Sequence, residues 1–147
     1  MKRFEPRKKS ATDHPLVQGT ARGLLDAAGL TLPSPFTMAR VFAVTSARGS
    51  CYHKRAQPEQ SAITIPTWAI LRGQTYLNWY VAHELAHAFN MTHGGNAGHG
   101  PDFMRWLKAI CPTESIHFEL TYKPRNAAAA GIRKPRNEKR FSVLTNF

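Results

Sequence analysis

Residues 75–90 run without a glycine or a proline, and inside that run stands His83-Glu84-Leu85-Ala86-His87. An uninterrupted stretch of this length predicts the main helix of the chain. Residues four apart on a helix lie one above the other, so both imidazoles can meet a single ion. Glu84, one position on from His83, reaches toward the open side of that ion and is better placed to hold a water than to ligate. Two neutral imidazoles and a third ligand leave zinc one open tetrahedral position, the arrangement of a catalytic site. Zinc lowers the pKa of a bound water toward about 7, and Glu84 can take its proton and pass it to a leaving amine. With 7 His among 147 residues, chance supplies only about 0.013 arrangements of this type. One zinc ion per chain is therefore the expected cofactor, with Glu84 the expected catalytic residue.

The third ligand has two candidates. His93 completes His83-x-x-x-His87-x-x-x-x-x-His93, close to the metzincin spacing, which requires Asn90 to turn the helix sharply where a glycine is the usual residue. His99 lies in Gly98-His99-Gly100-Pro101-Asp102-Phe103, where a glycine-rich loop can carry the imidazole back over the helix and Pro101 starts the next one. The setting of His99 needs no strained residue and is preferred, so the expected metal ligands are His83, His87 and His99.

The remaining punctuation predicts a helix from Pro15, with Val17, Ala21, Leu24, Leu25 and Ala28 at helical spacing until Gly29. A strand is expected over residues 38–45, a turn at 47–50, a returning strand over 51–55 and a third strand over 61–65, closed by Pro66. A last helix opens at Pro101 and runs through Phe103, Met104, Trp106, Leu107 and Ile110.

With Tyr80-Val81-Ala82-His83-Glu84-Leu85-Ala86-His87-Ala88 and the later Gly98-His99-Gly100-Pro101-Asp102-Phe103, the chain resembles the SprT/Spartan metalloproteases from about Val41 to Tyr122. The resemblance implies a small α+β zincin-like domain, a short β-sheet packed on the H-E-x-x-H helix. It implies three zinc histidines at His83, His87 and His99 and a catalytic glutamate at Glu84. It also implies cleavage of proteins, typically ones crosslinked to DNA. The substrate is expected to lie extended beside an edge strand, pairing its backbone there. The cysteine-rich zinc ribbon common in bacterial members is missing: Cys51 and Cys111 form no C-x-x-C pair and suit a reducing compartment.

Charge divides the chain. Of the net +11, residues 1–10 carry +4 and residues 122–147 carry +6, so the body is close to neutral. Lys2, Arg3, Arg7, Lys8 and Lys9, with Arg133, Lys134, Arg136, Lys139 and Arg140, are the expected nucleic-acid contacts, DNA ahead of RNA, because each neutralised phosphate releases counterions. The expected organisation is a basic arm at 1–12, a metallopeptidase domain at 13–122 and a basic tail at 123–147. Residues 1–10 are charged with no apolar stretch behind them, and no apolar run approaches the roughly 20 residues that span a bilayer. The expected location is cytoplasmic or nucleoid-associated, not secreted, without a membrane partner. Two alternatives stand beside the endopeptidase. One is a structural protein, phage-encoded or otherwise, docked on nucleic acid or a larger assembly and retaining the fold without turnover. The other is a regulator that cleaves a transcription factor.

Other residues carry weaker signals. Tyr76 and Tyr80 share the helical stripe of the histidines and either line a cleft or pack in the core. Tyr122, His117 and Arg125 are candidates for the second donor to a transition-state oxyanion. Trp68, Trp79 and Trp106 read as core residues before base-stacking platforms.

Overall fold

The computed structural model describes residues 11–121. In chain order these form helix α1 (Pro15–Ala28), strands β1 (Val41–Val44), β2 (Ser50–Tyr52) and β3 (Ala62–Pro66), and helices α2 (Thr67–Ile70), α3 (Gln74–Thr92), α4 (Pro101–Ile110) and α5 (His117–Thr121). The architecture is α+β: a three-stranded sheet and helices around one core. The two basic segments, with all ten proposed nucleic-acid contacts and both Tyr122 and Arg125, lie outside the described residues. Among those described, no helix is long and apolar enough to cross a membrane.

Helix α3 is the axis of the molecule. Residues 79–90 are all buried, and α3 packs against α1, α2, α4, α5, β2 and β3. A helix covered on every side must be apolar on every side. Here Leu77, Val81, Leu85 and Phe89 are joined by Trp79, Tyr80 and three alanines. The alanines let neighbouring elements approach closely. His83, Glu84 and His87 are the polar exceptions in this wall, together with Asn90 at its end.

Helix α1 begins as expected, with Pro15 in the first turn, and ends on Gly29 in the left-handed conformation (φ 71°). It buries Val17, Ala21, Leu24 and Leu25. The Gln18 amide donates to the carbonyl of Val41 at 3.2 Å, which ties the helix to the start of β1.

The sheet corrects the expected order. The strand over residues 51–55 was to return antiparallel to β1, yet β3 lies between them: the order is β1-β3-β2, with β1 parallel and β2 antiparallel to β3. Burial explains the insertion. All five residues of β3 are buried, whereas all three of β2 are half-exposed, so the strand buried on both faces takes the centre. The two outer strands are also shorter than expected, because Met38–Arg40 forms a 3-10 turn before β1 and β2 ends at Tyr52. Thr12 closes part of the outer edge of β1 through paired hydrogen bonds with Ala43, both 2.9 Å. Among the described residues β2 pairs with β3 alone and is left as an edge beside α3.

Candidate metal centre

His83 and His87 stand one turn apart on α3, and His99 arrives from the loop between α3 and α4. The three side chains meet. His99 Nε2 lies 3.2 Å from His83 Nε2 and 3.1 Å from His87 Nε2, and one ring nitrogen from each lies within 4.8 Å of the others. Tetrahedral zinc with Zn–N bonds of 2.0–2.1 Å requires nitrogens about 3.3 Å apart. The donor set fits that geometry.

The electrostatics fit as well. Burial, reinforced by His83 and His99, pulls the His87 imidazole down to about 3, so it is neutral and keeps a lone pair to donate. His83 Nδ1 lies 2.7 Å from Oε1 of Glu119, which also accepts from Trp79 Nε1–H at 3.0 Å. An ionised carboxylate only accepts, so His83 carries a proton on Nδ1 and turns Nε2 toward the cluster. Burial opposes ionisation of Glu119, but the hydrogen bond and attraction from His83, with the bond from Trp79, hold its carboxyl below the ordinary value. Nitrogens at 3.1 and 3.2 Å either share a ring proton or, when all three are bare, present lone pairs that a cation would draw together.

Local sequence explains how the loop delivers His99. Helix α3 continues through Thr92, so Asn90 is helical and makes no sharp turn. Its side-chain amide instead donates to the carbonyl of Asn96 at 3.1 Å, while its own carbonyl accepts from Gly95 N–H at 2.8 Å. Gly94 supplies the left-handed turn (φ 91°) past the helix end. Pro101 then opens α4, and Phe103, wholly buried, sets its ring against all three imidazoles at centroid distances of 4.6–4.9 Å. His93 stands apart. Its Nδ1 binds the carbonyl of Phe89 at 2.8 Å, and its ring lies against Trp106.

Glu84 shares a cleft of about 240 Å³ with the three histidines. Burial raises its carboxyl to about 7, with His83 opposing and Glu119 adding to the rise. A carboxyl balanced near neutrality can both take and return a proton. Another wall is the turn before β2 and its first residues: Arg48, Gly49, Ser50 and Cys51. Gly49 is obligatory there, because a Cβ would stand 2.3 Å from the carbonyl oxygen of Thr64. Its N–H donates to the Tyr80 hydroxyl at 2.9 Å, which fastens the strand to α3. Tyr80 thus lines the cleft, while Tyr76 lies in an aromatic cluster with Trp79 and Phe118. Burial pushes the Cys51 thiol well above its ordinary value, with Glu84 adding to the effect, and Cys51 is not part of the histidine cluster. His117 packs on Phe118 and is not among the residues lining the cleft. Trp79 is core and Trp106 is stacked on Phe89 at 4.8 Å.

The SprT-like family model matches residues 34–125, more than half of the chain. The chain belongs to the SprT-like family. Comparison with curated proteins and with solved structures returned no significant match. Membership points to a metalloprotease-like function, usually zinc-dependent, and the three-histidine cluster is a site that can hold the metal. The matched segment runs from before β1 to beyond α5 and leaves α1 outside it.

Glu119 and Phe103 complete the surroundings of the histidines. Phe103 is visible in the sequence as part of the Gly98–Phe103 turn. Glu119 escapes sequence reasoning, and its one signal is an acid set between Phe118 and Leu120.

Proposed function

We propose that this SprT-like chain is a zinc-dependent endopeptidase with zincin-like packing, acting on proteins associated with nucleic acid. The observation that carries the reading is the convergence of three imidazole nitrogens beside Glu84 on one cleft. His83, His87 and His99 would hold the ion, leaving its remaining position open to the cleft. Zinc bound there supplies Lewis-acid polarisation of a carbonyl and acidifies water. Glu84 takes the proton of the attacking water and returns it to the leaving amine. Its burial, with a carboxyl near 7, suits both halves of that transfer. A purely structural metal site has no use for such a base, which favours the enzyme over the structural alternative.

The cleft has room for a few side chains and none for a folded domain, so a polypeptide enters extended. The edge strand β2 forms one wall and offers its backbone to such a segment. The basic segments, +4 over residues 1–10 and +6 over residues 122–147, would concentrate the domain on nucleic acid, DNA before RNA, and so at the nucleoid.

The test is metal content together with proteolysis by the full chain, with and without single-stranded DNA. Glu84→Gln is expected to retain one zinc and the fold but lose cleavage, because an amide cannot accept the water's proton. A variant that digests as fast as the parent would remove Glu84 from the mechanism.

A further inference from the structure

We propose that Glu119 is a positioning residue of the metal centre, the group that aims His83 at the ion and strengthens it as a ligand. The inference rests on the reading of His83 as a zinc ligand and adds a residue that neither the H-E-x-x-H helix nor the His99 turn contains.

The geometry points to it from two sides. Oε1 of Glu119 receives His83 Nδ1–H at 2.7 Å and Trp79 Nε1–H at 3.0 Å, donors one helical turn apart on α3. Trp79 can only donate, so this oxygen is held as an acceptor whatever the histidine does. The carboxylate therefore selects the Nδ1–H tautomer of His83 and locks the ring plane. It also lends negative charge to an imidazole about to share its other lone pair with a cation. Such a partner raises ligand basicity and removes the cost of orienting a freely rotating ring.

Helix α5 is built to hold that oxygen still. Ser115 Oγ donates to the carbonyl of Thr75 at 2.8 Å, and Phe118 lies against Tyr76 and Trp79 at centroid distances of 5.0 and 6.0 Å. Both anchors are on the first half of α3, so the carboxylate and its histidine move as one body. His87 has no comparable partner: its Nδ1 is buried without a hydrogen bond among the described residues. Of the two helix histidines, His83 alone is aimed by a charge.

The experiment compares the full chain with Glu119→Gln and Glu119→Ala. Zinc affinity is measured by competition with a chromophoric chelator, and the His83 tautomer by nitrogen-15 NMR of the metal-free protein. Glu119→Gln keeps an acceptor oxygen and nearly the same shape, so the fold and the Nδ1–H tautomer should persist while affinity falls roughly tenfold. Glu119→Ala should lose the tautomer preference as well, with affinity falling toward about a hundredfold. A purely structural Glu119 would lower thermal stability in both variants and leave chelator competition unmoved, which overturns the proposal. So does an Nε2–H tautomer of His83 in the parent. A parent that takes up no zinc overturns the metal-centre reading and this inference with it. A zinc-binding parent beside a Glu119→Gln variant of equal affinity overturns this inference alone.

Discussion

His93 and His99 are the same chemical group six positions apart, and the backbone between them decides which meets the other histidines. At the end of α3 the ring of His93 is turned back onto its own helix, with Nδ1 on the carbonyl of Phe89. His99 is carried over the cleft and approaches both helix histidines within 3.2 Å. His99→Ala should therefore abolish high-affinity zinc, since two imidazoles cannot hold the ion against water. His93→Ala should leave zinc content close to one per chain; metal analysis of both variants decides the matter, and the reverse pattern would move the third ligand to His93. The acid beside them sets a pH dependence. Burial takes Glu84 from 4.5 to about 7, so between those values the folded metal-free chain keeps a proton that the unfolded chain has released. Its contribution to stability is present below pH 4.5 and lost as pH rises through about 7. His87, lowered from 6.5 to about 3, acts in the opposite sense, costing stability as pH falls through that window. It does so in parent and variant alike. Glu84→Gln without metal should therefore melt above its parent by a margin that widens from pH 4.5 to 7 and then levels off. A margin that shrinks as pH rises would show that burial does not set this carboxyl. The histidines were readable in the sequence because an i, i+4 spacing on a helix is local geometry. Glu119 was not, because its bond to His83 spans 36 positions and exists only once α5 has docked.

The same division between local and tertiary information runs through the elements. Helices α1, α3 and α4 announce themselves by Pro15, by a run free of breakers and by Pro101, since capping and periodicity act within a few residues. The order of the strands does not, because any of three short apolar runs can form a strand and only burial on both faces picks the central one. Ile63 and Ile65 on one face and Ala62, Thr64 and Pro66 on the other, all buried, make β3 that strand. Helices α2 and α5, four and five residues long, are too short to carry a period at all. Glycines then separate elements that tolerate side chains from those that do not. Gly19 and Gly23 lie in the exposed interior of α1, where a Cβ would meet nothing within 4 Å. Alanine at either should raise stability by about 0.5–1 kcal/mol, because it removes a cost to helix entropy and touches no neighbour. Gly49→Ala should do the reverse. Its Cβ would press on the backbone of β3 and on Tyr80, forcing β2 off α3 and opening the cleft wall. Thermal melts of the three variants test the contrast, and it fails if Gly49→Ala melts with the helix variants.

At the scale of the whole molecule, the described fold and most of the excess charge fall in different stretches of chain. Residues 11–121 hold the core and the histidine cluster, while ten of the eleven excess positive charges fall in residues 1–10 and 122–147. Composition made that split plain, because a charge count needs no structure. What the segments bind was not readable in the same way, since Lys and Arg side chains suit any polyanion. The proposed division of labour makes a quantitative expectation. Removing residues 1–10 together with the segment after Arg125 should leave zinc content and thermal stability unchanged, because neither stretch carries the apolar periodicity of a packed element. Binding to DNA should weaken sharply, because the remaining body is nearly neutral and has few phosphate-neutralising groups to displace counterions. If the intact chain contacts about six phosphates, the slope of log K against log salt should be near −5 on duplex DNA and shallower on a single strand. Preference among sequences should be slight, since contacts to phosphates carry no base code. A salt titration of intact and trimmed protein on the same oligonucleotide measures both quantities. Equal affinities and equal slopes would separate the basic segments from nucleic acid and leave a protein assembly as the surface on which they dock.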